Sequence, residues 1–216
     1  GRFMKILLVK RLESSFFAFK NSVDRFIYSY DRFIQEFEKG NVYISRKHTQ
    51  KIFELLENDD DEAIQRLIDE GKVHRFASTL FEDTFIQDLR KDLRILHRIK
   101  NLWSQVDRDP KLLALLDQLS KNKILKKNKL ILFTESKETA EHLTKNINKK
   151  FNGTALCFHG SSGEGTRDVV IQNFDAKTRR QKDDYRILVS TEVLSEGVNL
   201  HRSNVVINYD LPWNPT

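Results

Sequence analysis

Two textures of apolar spacing divide this chain. From its start to about residue 125, apolar residues recur three and four apart. Val23, Phe26, Ile27, Tyr30, Phe33, Ile34 and Phe37 form one such stripe, which predicts a long amphipathic helix that Gly40 ends. A second stripe runs Phe85, Ile86, Leu89, Leu93, Leu96, Ile99, Trp103, Val106. Asp109-Pro110 opens a third helix, Asp as N-cap and Pro in the first turn, with Leu112, Leu113, Leu115, Leu116 and Leu119 after it. The acidic run Asn58–Glu62 predicts a solvated start for a helix over Ala63–Glu70.

From Lys129 onward the texture changes. Leu130–Phe133, Ala155–Phe158, Ile187–Val189 and Val205–Ile207 are short, continuously apolar runs. Strands apolar on both faces belong in a covered, mostly parallel sheet. Helical stretches over Lys137–Lys150 and Gly165–Phe174 separate the first three runs, so the expected architecture is an α/β sheet with right-handed crossovers. Five of the eight glycines fall between Gly153 and Gly197, where tight strand-to-helix turns are needed. The expected division is 1–126, an all-helical lead-in with a helical insertion, and 127–216, the sheet domain. Lys121–Lys129, five lysines in nine residues, reads as a solvated linker between them, with a phosphate contact as the alternative.

Composition narrows the class. At 216 residues, 39% hydrophobic and 31% charged, the chain is of globular type and long enough to bury a core. No apolar run reaches the roughly 18 residues of a membrane span. A single cysteine, Cys157, excludes an internal disulfide and a cysteine zinc cluster, and fits a reducing, cytoplasmic setting. It lies in an apolar run and reads as an inert thiol. The net charge of +6 pulls mildly toward polyanions. The surplus sits mainly in residues 101–216, which carry 18 Lys and Arg against 14 Asp and Glu. With Gly1 first and its one methionine at Met4, the chain reads as a fragment.

In open parallel sheets ligands collect beyond the carboxyl ends of the strands. Those ends are Thr134-Glu135-Ser136, His159-Gly160-Ser161-Ser162, Ser190-Thr191-Glu192 and Tyr209-Asp210. The first three are small and rich in hydroxyls and lead toward helix or turn starts, where unpaired N–H groups and partial positive charge suit phosphate. Such contacts grip a backbone without reading its sequence. Ser and Thr are also ordinary N-caps, so each cluster alone has a structural explanation.

Several segments resemble the second motor lobe of superfamily 2 helicases and translocases, within them the Swi/Snf-type branch. Leu130–Leu143 (LILFTESKETAEHL) is similar to that lobe's first strand and helix, and Phe158–Arg167 (FHGSSGEGTR) to its second strand and turn. Ser190–Leu200 (STEVLSEGVNL) resembles motif V of the Swi/Snf group, and Asn208–Pro215 (NYDLPWNP) the segment before the arginine motif. Lys10–Ser15 (KRLESS) with Phe16–Phe19 is similar to the helical lead-in of bacterial Swi/Snf-like proteins.

The resemblance implies a RecA-like lobe, truncated before its arginine motif, in a protein that uses ATP and Mg2+. It implies that Thr191 with Ser190 meets the tracked strand, that Ser136 and Ser161 lie along its path, and that Thr134, His159 and Gly160 border it. Arg167 is either structural or a phosphate contact. Glu196, Gly197 and Asn199 would face the ATP cleft. Trp213 reads as a packing anchor. The implied partners are nucleic acid, DNA before RNA, and the first RecA-like lobe of the same polypeptide, in a prokaryotic cytoplasm. The chain has no GxxxxGK[ST] loop, no Asp-Glu pair ending an apolar strand and so no catalytic or metal set of its own, and alone it is expected not to hydrolyse ATP. The alternative is a non-catalytic α/β module with a helical arm that binds nucleic acid or protein.

Overall fold

The computed structural model describes residues 2–44, 74–191 and 199–211, with Ala63, Arg66 and Glu70 between. Helix α1 (Arg2–Ser14) meets α2 (Phe16–Glu38) at an elbow on Ser15. The predicted stripe of α2 is the buried one, with Val23, Ile27 and Ile34 enclosed. Gly40 ends it at φ +89, a conformation that glycine adopts without strain. The chain then departs from the helical expectation. Strand β1 (Asn41–Ile44) pairs antiparallel with β2 (His74–Ala77), Asn41 opposite Ala77. The β-branched and aromatic Val-Tyr-Ile run after a helix stop favours extended backbone over a further helical turn. Of the expected acidic cap and helix, Ala63 and Arg66 are helical, and Asn58–Glu62 lie outside the described residues.

A 3-10 turn, Ser78–Leu80, leads to helix α3 (Asp83–Ser104), whose stripe buries Leu96. Phe81 and Phe85 stack 5.5 Å apart, Phe37 lies 6.2 Å from each, and Phe33 meets Phe85 edge-on at 5.9 Å. Residues 1–9 with 19–108 form one compact unit, and residues 10–18 with 109–216 a second. The units therefore divide after Arg108 and not at 126–127.

In the second unit, helix α4 (Pro110–Lys121) starts as its sequence predicts, with Asp109 Oδ1 accepting from Leu112 N at 3.1 Å. It belongs with the sheet because Leu112, Leu115 and Leu119 are part of the sheet's core. The lysine-rich segment that follows is ordered. It forms a short helix, α5 (Lys123–Lys127), capped by Asn122, and Lys129 donates to the Tyr185 carbonyl at 2.6 Å.

Strands β3 (Leu130–Phe133), β4 (Ala155–Phe158), β5 (Ile187–Ser190) and β6 (Val205–Asn208) are the four apolar runs. They form one sheet in the order β4-β5-β3-β6, every pairing parallel. Helix α6 (Lys137–Phe151) joins β3 to β4, and α7 (Glu164–Phe174) follows β4. One sheet face packs Leu130, Leu132, Ile187 and Val189 with Leu143 and Ile147 of α6 and the leucines of α4. The other packs Leu188 and Phe158 with Val170 and Phe174 of α7.

Helix α6 ends in left-handed residues, Asn152 at φ 52 and Gly153 at φ +77. The Asn148 side chain then ties that end to β4 through Ala155 N and O, at 2.7 and 2.9 Å. The two-sided covering expected of all four strands holds for β3 and β5. It fails for β6, where Val206 is 58% exposed, because Val206 joins neither core cluster among the described residues.

Candidate nucleic-acid interface

The strand register decides whether the tips can act together. Phe133 lies level with Ser190 and Asn208, and Phe158 level with Ser190. Parallel strands in that register bring His159, Thr191, Thr134 and Tyr209 to one edge of the sheet, in that order. The tips share an edge but differ in access.

The β3 tip is closed. Thr134 is 2% exposed and Ser136 1%. Ser136 Oγ caps α6, accepting from Thr139 N at 3.3 Å. Thr134 Oγ1 donates to Asp210 Oδ2. The elbow of α1 and α2 completes the enclosure. Ser14 Oγ lies 2.7 Å and Ser15 Oγ 2.9 Å from Thr139 Oγ1, and Ser14 also donates to Asp210 Oδ2 at 2.8 Å.

Asp210 is the hub of this arrangement. Besides the two hydroxyls it accepts from Glu135 N at 3.1 Å, and its Oδ1 meets Lys111 Nζ at 2.8 Å. Lys111 in turn donates to the carbonyls of Glu13, at 2.6 Å, and Ser14, at 3.1 Å, and sits 4.0 Å over the Tyr209 ring. Burial, then the Asp109 and Asp210 carboxylates, push the Tyr209 phenol well above its ordinary range. A carboxylate with four donors and a 7% exposed side chain holds three elements together.

The β5 tip is also enclosed. Ser190 is fully buried and donates to the Thr191 carbonyl at 2.8 Å. Thr191 is 8% exposed, and its N donates to the Phe158 carbonyl. The open part of the edge is the β4 tip. Gly160, Ser161 and Arg167 are exposed, and Arg167 has no side-chain partner among the described residues. His159 N donates to Ser162 Oγ at 3.0 Å and Ser162 N returns to the His159 carbonyl at 2.8 Å. This reciprocal pair fixes the turn and leaves Ser161 facing out. Helix α7 then starts after Gly163, which offers no side-chain cap. Asn199 Oδ1 accepts from His201 N at 3.3 Å, the ordinary turn role. Glu196, Gly197 and Trp213 lie outside the described residues.

Sequence spacing puts the four tips on one edge, as the register does, and misses the hub among them. Asp210 is legible only as the end of the fourth tip, and Lys111 carries no signal of its own. The pair is separated by 99 positions, which no local pattern reports. Cys157 matches its expectation, burial pushing its thiol up to about 11.

His159 Nε2 lies 3.2 Å from Glu141 Oε1, yet burial first and the Lys137 charge second lower its pKa from 6.5. His142, stacked on Phe17 at 4.4 Å, is lowered likewise, chiefly by burial. A histidine with a lowered folded pKa binds fewer protons than the unfolded chain, so its stabilisation is full above 6.5 and lost as pH falls below it. The melting temperature therefore drops between about pH 7.5 and 5.5. An H142N/H159N double variant has a flatter profile in that window; an unchanged slope would remove both imidazoles from the account.

Among the described residues, no group of three or more His, Cys, Asp or Glu could hold a metal ion. No helix among them is long and apolar enough to cross a membrane.

Residues 110–216 match the family model of the helicase conserved C-terminal domain. The chain is similar to a probable eukaryotic initiation factor 4A of Trypanosoma cruzi (strain CL Brener), 26% identical over 188 residues, 82% of this chain and 42% of that protein. It is also similar to the probable ATP-dependent RNA helicase DDX17 of Mus musculus and of Homo sapiens, each 30% identical over 115 residues, 53% of this chain and 16% and 14% of theirs. The chain thus spans less than half the length of these relatives. They are named as an initiation factor and RNA helicases, and they are eukaryotic. They support the helicase lobe. They do not carry the Swi/Snf branch, the preference for DNA or the prokaryotic setting suggested by the motifs.

Proposed function

We propose that residues 110–216, a superfamily 2 helicase C-terminal lobe of RecA-like α/β architecture, grip the sugar-phosphate backbone of RNA in an ATP-dependent motor. The observation that carries this reading is the shared edge of four parallel strand tips, on which one tip stays open. Gly160 and Ser161 offer a backbone N–H and a hydroxyl, the start of α7 adds unpaired amides, and Arg167 adds a charge one turn into that helix. The choice of RNA follows the names of the relatives.

The closed tips take a different role in this proposal. Thr134, Ser136, Ser190 and Thr191 shape and stiffen the edge, and they bear on a strand through the backbone they hold. ATP and Mg2+ belong to the full-length protein, where ATP supplies the energy for lobe movement. No step of hydrolysis is assigned to the described residues. Asn199, Glu196 and Gly197 remain the proposed cleft residues.

The test uses single-stranded RNA and DNA of one sequence. Binding to RNA weakens with salt at a slope of about 2 on a log–log scale, as for two or three phosphates. Ser161→Ala with Arg167→Ala reduces that slope by about 1. In the full-length protein the same change raises the RNA concentration needed for half-maximal ATP hydrolysis. Salt-independent binding, or a slope the variant leaves intact, would sink the assignment; tighter binding to DNA would overturn the choice of RNA.

A further inference from the structure

The helical unit carries a basic stripe that the helicase lobe does not explain. In α3 the acids Asp83, Asp88 and Asp92 all lie in the first half, and Leu93–Val106 contains no Asp or Glu. That second half holds Arg94, His97, Arg98 and Lys100. Lys100 is paired with Asp24 at 2.8 Å. Arg94 and Arg98 are exposed and have no side-chain partner among the described residues.

At 3.6 residues per turn, Arg94, His97, Arg98, Asn101, Leu102 and Gln105 fall within an arc of about 140°. The buried Leu96 lies on the opposite side. The same six residues border one wide-open surface depression along the helix. The stripe is therefore an open, donor-rich face of one helix. The negative end of the helix dipole favours cations in this half but accounts for neither the depression nor the missing partners.

We infer that this face of α3 is a second nucleic-acid contact, in which Arg94 and Arg98 take successive phosphates of a duplex backbone. Their Cα atoms are separated by about 6 Å along the helix axis. Each guanidinium presents a planar fork that matches phosphate oxygens. Asn101 and Gln105 continue the row with neutral amide donors, and Leu102 supplies an apolar side chain for a sugar. The inference rests on the proposed function only for choosing a nucleic acid as the polyanion.

The experiment measures binding of a short labelled RNA duplex to the whole chain between about 50 and 200 mM salt. The R94A/R98A variant is compared with R179A/R180A, an exposed basic pair that removes the same charge elsewhere. R94A/R98A lowers the salt slope by about 1.8 and weakens binding tenfold or more at the low-salt end, while its melting temperature is unchanged. The control moves neither by as much. Equal losses in both variants overturn the inference, since net charge alone then explains them. If R94A/R98A binds like the parent while Ser161→Ala with Arg167→Ala weakens single-stranded RNA, this inference falls and the proposed function stands. The reverse pattern supports the inference and removes the proposed edge. A parent chain that binds no nucleic acid defeats both.

Discussion

Replacing Asp210 with alanine lowers the melting temperature of the sheet-bearing unit by about 6–12 °C. The carboxylate is almost fully enclosed and receives Lys111, Ser14, Thr134 and the Glu135 amide. Its loss leaves an ammonium against two carbonyls and an aromatic ring, with two buried hydroxyls short of an acceptor. Removing one partner of such a pair costs about 3 kcal/mol or more. Asp210→Asn falls between, because the amide oxygen can still serve one hydroxyl while its N–H groups oppose other donors. A Lys111→Met, Asp210→Leu double variant recovers part of the loss, a coupling of about 1–3 kcal/mol in a double-mutant cycle. Thermal melts followed by circular dichroism decide it. An Asp210→Ala protein melting with the parent would mean that the hub contributes nothing.

A fragment that starts at Asp109 contains every residue that matches the helicase C-terminal model, yet it is expected to melt at least about 10 °C lower than the parent, or without a cooperative transition. Residues 10–18 are built into that unit. Without them Asp210 loses the Ser14 hydroxyl, Thr139 loses both serines, and His142 loses the Phe17 ring. Each hydrogen bond exchanged for water costs about 0.5–1.5 kcal/mol, against a usual total stability of about 5–15 kcal/mol. A peptide covering Lys10–Phe19, added in excess, raises the melting temperature of the fragment. Equal melting of fragment and parent, with no response to the peptide, would show the elbow to be an ornament of the lobe.

Much of the second unit is legible because its signals are local. Both-sided apolar runs predict β3, β4 and β5 to within a residue, since strands packed on both faces have no polar face. Asp109-Pro110 announces α4, and Gly40 ends α2, because caps and stops are backbone chemistry written at one position. The β6 run reads the same as the others and is half exposed, since Val206 joins neither core cluster among the described residues. The hydroxyls at the tips show the limit most clearly. A serine that caps a helix looks alike in sequence whether water or a second serine faces it. Thr134 and Thr139, the residue that Ser136 caps, meet serines more than a hundred positions earlier, and of the hydroxyls expected on the path only Ser161 is open. The two-stranded ribbon was hidden by its distance as well, since Asn41–Ile44 finds its partner only at His74–Ala77.

The bond between Ser14 and Asp210 spans 196 positions. During synthesis the elbow leaves the ribosome long before β6 is made, so its serines wait in water until their partners are made. Closure of the second unit is then a late, long-range event, the kind that slows folding and leaves strand edges exposed in the meantime.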